Sequence, residues 1–247
     1  MAASPEFSAV LAARLATLRT RIEAAARRGG RDPAAITIVA VTKSAPTSVL
    51  PLLAPLGLRA AGESRVTALV ERQDLHPELQ WHLVGHLQSN KARPAVAAAD
   101  VLHGVDSLDL LLRLQRLATE LGRSPHIFLQ VKLAGGAHRK GVTPEALGEL
   151  VEAAASAAPL AVAGLMTLAP EGASPAEQRR VFGTLRRLAE RHGARLPLPE
   201  LSMGMSSDLE AAIEEGATLI RPGRMLFADL PDPAPPVRTA AGSKGAS

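Results

Sequence analysis

Short aliphatic runs alternate with longer segments of helical periodicity almost to the end of this chain, and that alternation is what most constrains its fold. The strand-like runs lie at residues 36–42, 58–61, 81–84, 101–105, 127–131, 161–166, 200–203 and 218–220. Such alternation is the signal for parallel strands joined by helices. Helical patterns between them include residues 108–121, 144–157, 175–191 and 208–215. Thr143-Pro144 and Ser174-Pro175 each place a proline at the first helical position behind a capping hydroxyl. Eight such units in about 190 residues, preceded by one amphipathic helix, fit a (β/α)8 barrel better than a doubly wound sheet. The expectation is an α/β protein with a single TIM barrel over residues 1–230 and an extra N-terminal helix. Residues 231–247 are rich in Pro, Ala, Gly and Ser without apolar periodicity, and read as a disordered tail.

Composition then removes whole chemistries. With no Cys and no Tyr, the chain has no disulfide, thiolate nucleophile, Cys-ligated zinc or phenolic acid/base. Aromatics are 2% of residues, so Ala, Leu and Val must fill the core. The formal charge is only +4, and neither a concentrated basic face nor stacking aromatics suggest a nucleic-acid partner. Arg14, Arg19 and Arg21 interrupt any secretory apolar stretch near the start. The uncharged run 153–170 is divided by Pro159, which argues against a membrane-spanning helix. These features predict a soluble, cytoplasmic protein. No apolar stripe demands a dimer, so a monomer is expected.

In a barrel, chemistry gathers where the strands end, with phosphate often held after strands seven and eight. The first strand run leads into Lys43, one of five lysines and the one most clearly placed at a strand end. Partial desolvation there would lower its pKa and favour Schiff-base chemistry, the alternative being a snorkelling surface lysine. In the seventh unit, Met203-Gly204-Met205-Ser206-Ser207 offers hydroxyls and backbone N–H groups to an anion, or simply a helix cap. The eighth unit supplies Arg221-Pro222-Gly223-Arg224, where Gly223 allows close backbone approach to a ligand. Taken together, the two loops favour anion binding. His82 and His86 are four apart, but Gly85 points to a strand and turn, so no metal site is expected. The stretch Gln88–Lys91 is expected to cap a helix and close one side of the cavity.

Six segments stand out together: Ile38-Val39-Ala40-Val41-Thr42-Lys43, Gly62-Glu63-Ser64, the run from Trp81 to Lys91, Gly164-Leu165-Met166-Thr167, the run from Leu201 to Ser206, and Arg221-Pro222-Gly223. As a set they resemble the pyridoxal-phosphate homeostasis proteins of the YggS/PROSC type. The resemblance covers about residues 5–230. It implies a barrel of the alanine-racemase N-terminal-domain kind that binds pyridoxal 5'-phosphate (PLP). Lys43 then carries the Schiff base, Ser206 and the backbone of Gly223 and Arg224 hold the phosphate, and Arg221 faces the pyridine nitrogen. A permanent cation there disfavours ring protonation and weakens carbanion chemistry. Outside the cofactor role, Arg221 would be a surface salt-bridge residue. The chain departs from the family pattern at Ser64, where Asn is usual, at Arg224, where Thr or Ser is common, and at Lys132, where Asn is frequent. Lys140 is the best alternative lysine for transient capture of PLP.

The resemblance implies a non-catalytic carrier that sequesters PLP and passes it on, with PLP-dependent apoenzymes as candidate recipients. The alternative is a PLP-dependent racemase or decarboxylase on the same barrel. Related racemases use a Tyr from a second domain, and decarboxylases of this fold class a β domain and a Cys, so the composition favours the carrier. A phosphate-binding barrel enzyme without PLP would leave Lys43 unmodified.

Overall fold

The computed structural model describes residues 5–134 and 140–230. Eight parallel strands close on themselves in sequence order: β1 (Thr37–Val41), β2 (Ala60–Glu63), β3 (Gln80–Leu83), β4 (Val101–Val105), β5 (His126–Gln130), β6 (Ala161–Met166), β7 (Glu200–Ser202) and β8 (Leu219–Ile220). Closure is made by β1 pairing with β8, Thr37 opposite Leu219 and Ile38 opposite Ile220. The expected TIM barrel is therefore the observed one. The candidate tail, 231–247, lies outside the described residues.

Helices wrap the outside: α1 (Pro5–Arg28), α2 (Leu50–Leu53), α3 (Val66–Leu75), α4 (Ala92–Ala98), α5 (Leu108–Leu121), α6 (Leu147–Ala154), α7 (Pro175–His192), α8 (Leu209–Glu214) and α9 (Arg224–Phe227). The best-defined boundaries have explicit caps. Ser107 accepts from the Leu110 N–H at the start of α5, and Gly122 ends that helix in the left-handed conformation. Ser174 accepts from the Glu177 N–H with Pro175 at the first helical position, as expected. The parallel expectation at Pro144 fails. Thr143 and Pro144 belong to a turn in which Thr143 Oγ1 accepts from Ala146 N at 3.4 Å, and the helix starts at Leu147.

The extra N-terminal helix has a packing role. With α8 and α9 only six and four residues long, the barrel flank near β8 is thinly covered. The 24-residue α1 packs against both, burying Leu11, Leu15, Leu18 and Ile22 at helical spacing. Arg14 of α1 donates to the carbonyls of Leu226 and Ala228, and Arg31, just beyond the helix, to those of Ile213 and Ala217, which ties the start of the chain to the last elements of the fold.

Two cores result. A large one lies between strands and helices, and a smaller one inside the barrel contains Val39, Ala60, Val101, Phe128, Ala163, Met166 and Leu219. Inward positions alternate along each strand, so the polar side chains His82, His103, Ser202 and Arg221 share that dry interior. Among the described residues, no helix is long and apolar enough to cross a membrane.

Candidate functional site

A cavity of about 630 Å³ opens at the C-terminal ends of the strands. Lys43, Ser206, Arg221, Gly223 and Arg224 all line it, together with Ser64, His86, Lys132, Lys140 and Asp208. The tertiary structure thus collects the five candidate site residues from three separate segments of sequence.

On the β1–β2 side, the chain leaves β1 at Val41 and turns through Thr42 and Lys43. Lys43 is exposed, so the desolvation expected from its aliphatic strand does not occur: the side chain stands past the strand's end, where the cavity meets water. Its backbone is held instead. Arg72 of α3 donates to the carbonyls of Thr42 and Ala45, each at 2.8 Å, on either side of the lysine. The same guanidinium pairs at 3.0 Å with Glu63, which is 1% exposed and accepts from Thr42 Oγ1 at 2.6 Å. The Gly62-Glu63-Ser64 segment therefore contributes a buried carboxylate that positions the lysine turn. Ser64 lines the cavity.

On the β7–β8 side, Gly204 has φ +93°, and a Cβ there would also come within 2.6 Å of Ala212. The turn it permits brings Met205 to Asp208, whose Oδ1 accepts from the Met205 N–H at 2.6 Å. Neither Ser206 nor Ser207 caps α8, so the capping alternative is not realised. Ser206 Oγ accepts instead from Met225 N at 3.2 Å, linking this loop to the one after β8. Gly223 sits where a Cβ would stand 3.0 Å from the Val41 carbonyl. Among the described residues, the N–H groups of Gly223 and Arg224 have no protein acceptor. Two free donors beside a hydroxyl, in loops after strands seven and eight, fit a phosphate group. Arg224 is exposed on the cavity rim, with room for its side chain either in solvent or on an anion.

Arg221 is 4% exposed, which removes the surface salt-bridge alternative. Its Nη1 donates to Ser202 Oγ at 2.5 Å and its Nη2 to the Thr167 carbonyl at 3.0 Å. Burial lowers its pKa to about 10, opposed by Asp208, so it remains a cation at neutral pH. Burial also raises the Asp208 carboxyl, opposed mainly by the Met205 N–H and Arg221. A fixed, charged donor of this kind suits a ring nitrogen or another acceptor deep in the cavity.

Lys132 lines the cavity and Lys140 stands exposed on its wall. His82 and His86 diverge as expected: His82 points into the barrel, whereas His86 is exposed, 3.6 Å from Asp106. Among the described residues, no group of three ligand-type side chains could hold a metal ion. The expectation for Gln88–Lys91 needs correction. Ser89–Lys91 form a 3-10 turn before α4 with no side-chain cap, and the cavity wall comes instead from Val84, Gly85 and His86.

Two groups escaped notice in the sequence. Glu63 belongs to a recognisable motif, but its clamp on Arg72 depends on how α3 packs back against the end of β2. The other is a buried hydrogen-bonded file, His82 Nδ1 to His103 Nε2 at 2.8 Å and His103 Nδ1 to Ser202 Oγ at 2.8 Å, which ends on Arg221. Inward spacing on β3 and β4 was the available signal for it.

A closed β/α barrel with a lysine just past its first strand and unpaired backbone donors after its last defines the class. Residues 14–231 match the family described as alanine racemase, N-terminal domain. An alanine racemase of Corynebacterium glutamicum shares the fold at a TM-score of 0.64 and 18% identity, over 88% of this chain and 60% of that one. Much nearer in sequence is the pyridoxal phosphate homeostasis protein of Pseudomonas aeruginosa, 40% identical over 88% of this chain and 94% of that protein. The one from Escherichia coli K12 is 34% identical, over 88% of this chain and 95% of that protein. PipY of Synechococcus elongatus, whose structure was solved with PLP bound, is 40% identical with a TM-score of 0.79, over 88% of this chain and 99% of that chain. The chain belongs to the pyridoxal phosphate homeostasis protein family.

Proposed function

We propose that the protein binds PLP in this cavity, holds it as a Schiff base on Lys43, and releases it to other proteins without strong turnover of its own. The observation carrying this is that an exposed lysine, two unpaired backbone donors and Ser206 line one cavity. Ser206 and the N–H groups of Gly223 and Arg224 grip the phosphate, Arg221 meets the pyridine nitrogen, and Lys43 reaches the aldehyde. When bound, PLP supplies an electrophilic carbonyl that condenses reversibly with amines.

The residues present favour holding over turnover. Arg221 stays cationic and donates only, so it gives the ring nitrogen no anionic acceptor of the Asp kind to stabilise its protonated form. The chain has no Tyr or Cys to serve as the second acid/base found in related enzymes. Exposure of Lys43 suits exchange, because the amine can meet water and an incoming acceptor at the cavity mouth. Proteins that need PLP are the proposed recipients.

The test is the visible absorption of the purified protein with PLP, before and after borohydride, followed by mass-spectrometric mapping. The expected result is a reduced adduct on Lys43 that vanishes in Lys43→Ala. A protein that takes up no PLP, or an adduct mapped elsewhere with Lys43 unmodified, overturns the proposal. Measurable racemase or decarboxylase turnover would restore the enzymatic alternative.

A further inference from the structure

The file His82–His103–Ser202–Arg221 runs from the closed interior of the barrel to the cavity, and three of its members have no part in gripping the cofactor. His82 is 2% exposed, while His103 and Ser202 are fully buried. His103 also stacks on Phe128, with ring centroids 4.7 Å apart and planes 20° apart. Its imidazole is therefore fixed by packing on one face and by a hydrogen bond at each nitrogen.

The cation at one end gives the file a direction. Arg221 can only donate, so Ser202 Oγ accepts from it. The hydroxyl proton is then repelled towards His103, whose Nδ1 accepts. His103 must consequently carry its proton on Nε2 and donate to His82 Nδ1, leaving His82 with Nε2–H. Every dipole in this arrangement has its negative end towards the guanidinium; the reverse order would turn every positive end towards it. His82 Nε2 has no hydrogen-bond partner, which leaves the inner end of the file open.

We propose that His103, acting through Ser202, is a positioning residue that fixes the Arg221 guanidinium and keeps its donors aimed into the cavity. The imidazole must stay neutral to accept. Burial holds its pKa well below the usual value, and the charges of His82 and Arg221 act in the same direction. His82 is likewise lowered to about 3, by burial and then by the nearby His126. Asp208 is the one group that acts on Arg221 in the opposite sense. The guanidinium is held at Nη2 by a backbone carbonyl that no side-chain change can remove, so Ser202 is the adjustable support. The consequence for the ligand rests on the cofactor assignment above, in which Arg221 meets the pyridine nitrogen. The positioning itself does not.

The experiment separates the two. In the unloaded protein, nitrogen-15 spectra of labelled histidine should show His103 neutral with its proton on Nε2; a proton on Nδ1 overturns the proposal. Hydrogen exchange at the Arg221 guanidinium should be slow in the unsubstituted protein and roughly tenfold faster in His103→Phe, as expected when the hydroxyl that accepts from Arg221 loses the partner that orients it. His103→Asn, whose Oδ1 replaces the Nδ1 acceptor, should restore slow exchange. Unchanged exchange in His103→Phe overturns the proposal. If that variant does not fold, Ser202→Ala breaks the same link with the imidazole in place and decides by the same readout. With PLP added, the pH midpoint of the visible band should move in His103→Phe and return in His103→Asn. A band that forms normally but ignores every variant overturns the consequence for the ligand. A protein that takes up no PLP refutes the cofactor assignment and leaves the exchange result to decide the positioning.

Discussion

On the β1–β2 side of the cavity Lys43 is solvent-exposed and only the backbone around it is clamped, whereas on the β7–β8 side Arg221 is 4% exposed and its guanidinium itself is clamped. Both arrangements use buried polar partners, but they fix different things. Glu63 and Arg72 hold the Thr42 and Ala45 carbonyls, which sets where the lysine begins and leaves its long side chain free to swing. Ser202 and the Thr167 carbonyl hold the charged end of the arginine. A group that makes and breaks a bond must reach its partner and exchange protons with water. A group that only complements charge works best when it needs no reorganisation.

The largest effect expected from disturbing this contrast comes from Glu63→Ala. It strands the Arg72 cation beside the lysine turn and should destabilise the fold by about 3 kcal/mol, the usual cost of breaking a buried pair from one side. Denaturant unfolding measures it, and an unchanged midpoint would mean that the lysine side is not clamped at all. Arg221→Lys should follow at about 2 kcal/mol, because one ammonium cannot span Ser202 and the Thr167 carbonyl as the fork does. Here the lysine adduct should still form while PLP is retained less tightly, as followed by equilibrium dialysis. Preserved retention would show that the arginine side depends on charge alone.

Acid sharpens the comparison further, since the histidine file lies only behind Arg221. His82 titrates at about 3 in the fold against 6.5 ordinarily, so between these values the unfolded chain binds more protons. Its contribution is fully present above pH 6.5 and is lost progressively as pH falls towards 3. His82→Asn keeps an acceptor for His103 and should flatten the dependence of unfolding free energy on pH by up to about 1.4 kcal/mol per unit in that window. An unchanged slope would remove His82 from the account. The smallest effect is expected for Gly223→Ala. Its φ of −125° suits any residue, but the new Cβ presses on the Val41 carbonyl at 3.0 Å, at a cost of about 1 kcal/mol. Phosphate-dependent protection against thermal unfolding should weaken in proportion.

Much of the architecture was legible from local pattern. Strand β4, strand β6 and helix α5 fall on the residues that their periodicity and caps indicate, because a buried aliphatic run and a Ser/Gly-bounded amphipathic segment each have one good solution. The Pro144 start misled because proline at a first helical position and proline in a turn share the same φ, and here the turn prevailed. Desolvation of Lys43 misled for a different reason. An aliphatic strand tells what lies beneath its last residue, but exposure two residues further on depends on how the neighbouring loops close over it.

The sequence by itself determined the order of the eight strands, the positions of Lys43, Ser206, Arg221 and Gly223 at strand ends, and the absence of thiol and phenol chemistry. Those are properties of single segments or of composition. Only the tertiary structure decided that Glu63 holds Arg72, that α1 covers the thin flank near β8, and that two histidines reach Arg221 through Ser202. Each of these depends on which inward or upward side chains meet between different strands and helices. Barrel closure and register decide that, because alternation along a strand says which residues point inward but not which of them touch.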